Sequence, residues 1–216
     1  MHAGIIGGTG HEGRGVAARL ASAGVPVLVG SRQIERAEET VAALGGTSLP
    51  LEAATNEQIA GTCDIVFLAV PFTGIAELLE TFRTRFRPGG LVIDLTVPLT
   101  FERGVPAIAD VAEGSATEFI RARLPAGVRL AAAFKTIPAS ALAKTDTPLE
   151  CDEFVCGDSP EVCAAAIDLL GRIPSLRLLD AGGLQSARLI ERMTALAILL
   201  NKRYKVRGAR FKVVGL

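Results

Sequence analysis

Ala3-Gly4-Ile5-Ile6-Gly7-Gly8-Thr9-Gly10-His11-Glu12-Gly13-Arg14-Gly15-Val16 is the stretch whose reading decides the fold. Ala3 to Gly7 is a short apolar run of strand character. Gly8-Thr9-Gly10-His11-Glu12-Gly13 then fits G-x-G-x-x-G, and Arg14 to Ala23 predicts a helix, with Val16 and Leu20 one turn apart and Gly24 as its stop. The pattern alone is weak in a glycine-rich chain. Its place between a strand and a helix makes it a dinucleotide fingerprint. Gly8 is expected to make the tight turn, Gly10 to let backbone approach a pyrophosphate, and Gly13 to let helix and strand pack closely. Thr9, His11 and Glu12 complete the loop, and the helix start offers free N–H groups to the phosphates.

Outward from this loop, apolar runs alternate with stretches of helical period, as in α/β proteins. Val27-Leu28-Val29 is a second strand and Gln33 to Leu44 a polar-faced helix. Asp64 to Val70 is a continuous apolar run of the kind buried on both faces of a parallel sheet. Leu91 to Leu95 and Arg129 to Thr136 are further strands. Glu153 to Cys156, a helix from Pro160 to Leu170 and a strand from Leu176 to Leu179 follow. The reading is a Rossmann-type doubly wound parallel sheet with a small C-terminal α/β appendage. The appendage contains a long helix, Leu184 to Asn201, apolar nearly all round in its second half, for which a second subunit is the expected cover. The expected division is 1–148 for the nucleotide and 149–216 for substrate and dimerisation.

The end of the second strand distinguishes between dinucleotides. NAD sites place an acid there for the ribose 2′-hydroxyl. Here the strand runs into Gly30-Ser31-Arg32, and Arg36 lies one helical turn further on. A hydroxyl and two guanidinium groups suit a 2′-phosphate, so NADP(H) is the expected cofactor. Ligands lie at the carboxyl ends of such strands. Val70 and Pro71, Val97 within Thr96-Val97-Pro98, and Ala139 after Thr136-Ile137-Pro138 are therefore candidates for the nicotinamide end.

Composition bounds the rest. The chain has 216 residues, 49% of them hydrophobic and 21% charged, which excludes a disordered chain. No apolar stretch approaches the roughly 20 residues that a membrane helix needs. The 23 basic and 23 acidic residues leave no excess charge for nucleic acid. Four cysteines without a CxxC pair and two histidines make a metal site unexpected, and suit buried thiols in the cytoplasm. The start of the chain enters an apolar strand with no charged leader.

No nucleophilic triad is visible, and neither histidine is placed to protonate a carbonyl substrate. No residue is therefore assigned a catalytic role. Hydride exchange between two cofactors asks less of a protein, which mainly aligns two carbons. The combination Gly7-Gly8-Thr9-Gly10, Val29-Gly30-Ser31-Arg32, Leu68-Ala69-Val70-Pro71, Ile93-Asp94-Leu95-Thr96, Thr136-Ile137-Pro138-Ala139 and Val155-Cys156-Gly157-Asp158 resembles NADPH-dependent reductases of the deazaflavin coenzyme F420. The tail motifs Ala187-Arg188-Leu189, Met193-Thr194-Ala195 and Leu200-Asn201-Lys202-Arg203 extend the resemblance to nearly the whole chain.

The resemblance implies that Thr9 to Glu12, Ser31, Arg32 and Arg36 hold NADP, with Val70, Val97 and Ala139 near the nicotinamide. It also implies that the deazaflavin is held by Lys135, Arg188, Arg192 and Thr194, and that the protein is a homodimer. Three positions depart from the family pattern. Val97 stands where Asn is common, Lys135 where His or Asn is usual, and Arg192 where a small polar residue is expected. Lys135, Arg188 and Arg192 could bind an anionic acceptor, and coenzyme F420, a flavin nucleotide or a glutamyl pterin would each qualify. Ferric iron reduced through a flavin, and a non-catalytic NADP-binding sensor, are the other readings.

Overall fold

The structure is a computed structural model that describes residues 2–216. In chain order the elements are β1 (Ala3–Ile6), α1 (His11–Ser22), β2 (Val27–Ser31), α2 (Ile34–Leu44), β3 (Leu51–Thr55), α3 (Asn56–Thr62), β4 (Ile65–Leu68), α4 (Ile75–Phe82) and β5 (Leu91–Asp94). A hairpin of β6 (Leu99–Glu102) and β7 (Val105–Ile108) follows, then α5 (Ala116–Arg121), β8 (Arg129–Ala132), α6 (Ala139–Leu142), β9 (Cys151–Gly157), α7 (Pro160–Leu170), β10 (Leu176–Gly183) and α8 (Ala187–Tyr204).

Eight strands form one sheet in the order β10-β9-β8-β5-β4-β1-β2-β3. All neighbouring pairs are parallel except β8 with β9, which meet antiparallel at Ala131–Gly157 and Ala132–Cys156. The chain order reverses direction between β1 and β4. That crevice at the carboxyl ends of the strands is where doubly wound sheets take their ligands.

Strand side chains alternate between two apolar layers. Ile5, Phe67 and Ile93 point to the layer with Val16 and Leu20 of α1 and Leu169 of α7. Ile6, Leu68 and Val92 point to the layer with Ile59 of α3, Leu79 of α4 and Ile120 of α5. Burial on both faces is why the run from Ile65 to Leu68 carries no polar residue.

Several elements differ from their sequence reading. The helix after the fingerprint begins at His11 rather than Arg14, so half of the glycine motif is helical. The strand at Arg129 ends at Ala132, and Phe134 takes a left-handed φ of 57° just beyond the carboxyl end of β8. The last helix is amphipathic. It buries Ala187, Ile190, Glu191 and Ala197, while Leu189, Leu196 and Leu199 stay exposed on its outer face. Among the described residues no helix is long and apolar enough to cross a membrane. All four cysteines are buried and unpaired.

Candidate nucleotide and hydride-acceptor site

A cavity of about 510 Å³ opens over the carboxyl ends of β1, β4, β5 and β8. The phosphate loop contributes Gly10, His11 and Glu12. Ala69 to Phe72 after β4, Leu95 to Val97 after β5, and Phe134 to Pro138 after β8 form the floor and sides. Thr194, Ala197, Ile198 and Asn201 of α8 form the far wall, with Leu99 and Ala209 at its margins.

The loop leaves backbone donors open at the start of α1. Gly7 rather than Gly8 makes the sharp turn, at φ +78°. At Gly13 a Cβ would lie 2.6 Å from the Gly7 carbonyl oxygen, so only glycine lets α1 start against the loop. Gly8 serves close packing too, since a Cβ there would reach 2.9 Å from the Gly30 nitrogen. The helix N-cap is Gly10, which has no side chain to cap with, so the first-turn N–H groups face outward for an anion.

Glu12 sits in this first turn with Oε1 buried and without a hydrogen-bond partner among the described residues. Burial, reinforced by the charge of Glu153, pushes its carboxyl up to about 8. Glu153 is buried as well and is raised to about 7, although it accepts from Thr136 Oγ1 at 2.9 Å and from the Lys135 backbone N–H at 3.2 Å. At neutral pH the loop therefore presents a protonated Glu12, which does not repel a pyrophosphate.

At the neighbouring strand end Ser31 is buried and Arg32 and Arg36 are exposed. Neither arginine forms a salt bridge among the described residues, although Glu35 and Glu39 are close in sequence. These groups, the free N–H groups of α1 and the orphaned Glu12 oxygen fit an NADP molecule laid along the strand ends.

The opposite wall is different. Lys135 Nζ is fully buried and donates to Asp94 Oδ2 at 2.8 Å, to Glu191 Oε1 at 3.3 Å and to the Thr96 carbonyl. Burial alone would lower the lysine's pKa, but the two carboxylates raise it, so it stays charged. Asp94 also accepts from Thr96 N and Thr96 Oγ1, each at 2.7 Å, and from Thr117 Oγ1 at 2.7 Å. Glu191 accepts from Ala116 N at 3.2 Å, and Thr194 Oγ1 donates to the Lys135 carbonyl at 2.6 Å. The cluster thus ties β5, β8, α5 and α8 together beneath the cavity wall.

The structure brings Gly10, His11, Glu12, Val70, Pro71, Val97, Lys135 and Thr194 to one cavity. Ala139 follows directly on Pro138, and Gly8, Thr9 and Gly13 back the loop. Arg188 and Arg192 do not line it. Arg188 makes a two-pronged pair with Glu118, 2.7 Å from Nε and 2.6 Å from Nη2, and holds that carboxyl below its usual range. Arg192 donates to the Arg188 carbonyl at 2.7 Å on the outer face of α8.

Sequence reading missed Glu153, Asp94 and Glu191 as partners of the site, and Ile198 and Ala209 as wall residues. It also missed Arg19. This buried arginine reaches from α1 to the carbonyls of Leu142 at 3.0 Å, Ala141 at 2.9 Å and Thr147 at 2.9 Å, and also to that of Lys144, fixing the segment behind Ala139.

Residues 2–98 match the family model described as NADP oxidoreductase, coenzyme F420-dependent. A protein named F420-dependent NADP reductase from Methanothermobacter thermautotrophicus is 38% identical, covering all of this chain and 96% of its own length. The chain belongs to the F420-dependent NADP reductase family. A further member, from Methanocaldococcus jannaschii, is 30% identical over all of this chain and 99% of that protein. A crystal structure of a candidate F420-dependent NADP reductase from Arthrobacter sp. FB24 superposes with a TM-score of 0.83 at 22% identity, covering 99% of this chain and 98% of the other, and shows the same fold. Three-hydroxyisobutyrate dehydrogenase from Mycobacterium tuberculosis shares the fold more loosely, with a TM-score of 0.60 at 13% identity over 95% of this chain and 66% of its own.

Proposed function

We propose that this member of the family transfers a hydride between NADP(H) and the deazaflavin coenzyme F420 by aligning two rings rather than by acid–base chemistry. The observation that carries this reading is the contrast within one cavity. Its phosphate end holds unpaired donors, while its ring end is walled by Val70, Pro71, Phe72, Leu95, Val97, Phe134, Ile137, Ala197 and Ile198. Apolar walls exclude water and hold two flat rings face to face, with the reacting carbons at about 3–3.5 Å. The buried Lys135 ammonium is committed to Asp94 and Glu191 and delivers no proton to the ring end.

On this reading Gly8 to Gly13 hold the pyrophosphate, Ser31, Arg32 and Arg36 the 2′-phosphate, and Val70, Pro71, Val97 and Ala139 border the nicotinamide. Thr194 and the backbone at Lys135 border the deazaflavin. Arg188 reaches the acceptor only if it releases Glu118, and Arg192 only if it leaves the Arg188 carbonyl. The division into 1–148 and 149–216 is retained as a working description, supported by the antiparallel join between β8 and β9. Exposed Leu189, Leu196 and Leu199 on α8 support a homodimer, to be tested by sedimentation. Buried free thiols suit the reducing cytoplasm.

The test is anaerobic mixing of the protein with NADPH and oxidised coenzyme F420, following loss of the deazaflavin's visible absorbance. Fast turnover with NADPH and poor turnover with NADH is the expected result. NADPH binding without deazaflavin reduction would overturn the reading and direct attention to flavins and pterins.

A further inference from the structure

After Glu191 the chain contains no aspartate or glutamate, yet it contains seven lysines and arginines, so this end is basic in a protein whose 23 basic and 23 acidic residues balance only overall. Most of them follow the last turn of α8, where the chain reverses across the cavity mouth. Lys205 takes a left-handed φ of 55° that ends the helix, and Val206 N returns to the Asn201 carbonyl at 3.0 Å. Ala209 N then donates to Asn201 Oδ1 at 2.9 Å, and both of these residues line the cavity. The loop is pinned on each side. Lys202 Nζ donates to the Gly104 carbonyl of the β6–β7 hairpin at 2.9 Å, and Ser140 Oγ of α6 donates to the Arg207 carbonyl at 3.0 Å.

Asn201 and Ala209, on either side of this loop, are thus cavity wall, and between them the chain exposes cations beside Tyr204 and Val206. Arg203, Lys205 and Arg207 are exposed, and none pairs with a carboxylate among the described residues. The hairpin tip beside them offers Glu102 together with Arg103, so the mouth keeps its positive excess. Elsewhere on this wall the cations are neutralised, Lys135 by Asp94 and Glu191, and Arg188 by Glu118. Arg192 is held to the Arg188 carbonyl on the outer face of α8 and Arg210 follows Ala209, so the densest fixed positive charge still open beside the cavity wall is this loop. Such a cluster attracts an anionic chain rather than a flat ring.

We propose that the loop at 202–207 clamps the anionic chain that hangs from the acceptor ring, a chain of phosphate and carboxylate groups, and that it confers the salt-dependent part of acceptor affinity. This rests on the reading that the deazaflavin ring occupies the cavity. The same anion chemistry is present in the 2′-phosphate of NADP, but Arg32 and Arg36 serve that group at the far strand end.

The experiment measures equilibrium binding and steady-state turnover for the wild type and the triple variant Arg203→Gln, Lys205→Gln, Arg207→Gln. Two acceptors are used, coenzyme F420 and the same deazaflavin lacking its phosphate and carboxylate chain, each at low and high salt. The variant is expected to raise Kd and KM for coenzyme F420 by about tenfold at low salt, with kcat little changed. Kd for the truncated deazaflavin and for NADPH should stay at the wild-type value. Substituting Arg203→Lys and Arg207→Lys should restore tight binding, because the clamp needs charge rather than a guanidinium fork.

An equal change for both deazaflavins, or none for either, would overturn the clamp. A change in NADPH affinity instead would assign the loop to the 2′-phosphate and also overturn it. Binding that distinguishes the two deazaflavins without any turnover would uphold the clamp while sinking the hydride-transfer reading.

Discussion

At the phosphate end of the cavity the polar groups are open, and at the α8 wall they are closed on one another. The first-turn N–H groups of α1, Glu12 Oε1, Arg32 and Arg36 have no protein partner among the described residues. Lys135, Asp94, Glu191 and Thr194 form one connected set, and Arg188 is held by Glu118. Two sets of charged residues that look alike in the sequence therefore have different jobs. Open groups wait for a ligand, whereas satisfied groups hold the wall against which a ligand packs.

Breaking the closed set should have the largest effect. Lys135→Met leaves Asp94 and Glu191 buried without their cation, which should cost about 3–5 kcal/mol of stability in a denaturant titration. If stability were unchanged, the cluster would not be the tie between sheet and α8. Arg32→Ala attacks the open set. Loss of a charge-assisted contact should weaken NADPH by about 1.5–3 kcal/mol and leave NADH unaffected, as read by calorimetry. Equal weakening of both nucleotides would move the 2′-phosphate elsewhere.

A smaller effect is expected from pH. Glu12 keeps, up to about pH 8, a proton that the unfolded chain releases near 4.5. The native state thus binds more protons across that window, so this residue's contribution to stability falls as pH rises through it. As Glu12 ionises above pH 8, NADPH affinity should drop several-fold, and Glu12→Gln should flatten that dependence in a fluorescence titration. The smallest stability effect belongs to Arg188→Ala, whose own side chain is half exposed and whose partner Glu118 keeps its bond to Ser115, and thermal melting should scarcely register it. The same variant sharpens the comparison. Unchanged deazaflavin reduction would leave Arg188 to the scaffold, and lost reduction would show that it leaves Glu118 to bind acceptor.

Much of the phosphate end was legible because its chemistry is local. Gly8 to Gly13 lie on one turn, and Ser31 and Arg32 follow a strand directly. The helix Pro160–Leu170 was readable in full from Pro at its start and its apolar spacing. The α8 wall was not legible, because its pairing joins Lys135 to residues 41 and 56 positions away. No local pattern distinguishes a lysine bound to substrate from one buried between two acids. The elements between residues 46 and 62 were missed for another reason. Leu51–Thr55 is an edge strand without β-branched residues in its core positions, and the capping box of Thr55 and Gln58 that starts α3 is a two-residue signal.

The reversal at β8 and β9 has a consequence for the length of the last helix. β9 and β10 run opposite to the rest of the sheet, and the chain leaves β10 at the outer edge of the sheet, two strands from β8, and must come back from there across the cavity. α8 makes that return, starting beside Ala132 and Cys156, passing Lys135 and ending at the mouth. Its 18 residues span about 27 Å. The helix is in effect a ruler. Removing one turn would draw Asn201 back by about 5.4 Å, and removing a single residue would swing every wall side chain beyond the gap by about 100°. Substitutions along its outer face leave the ruler intact, so sequence change on that face of α8 is free in composition but fixed in count.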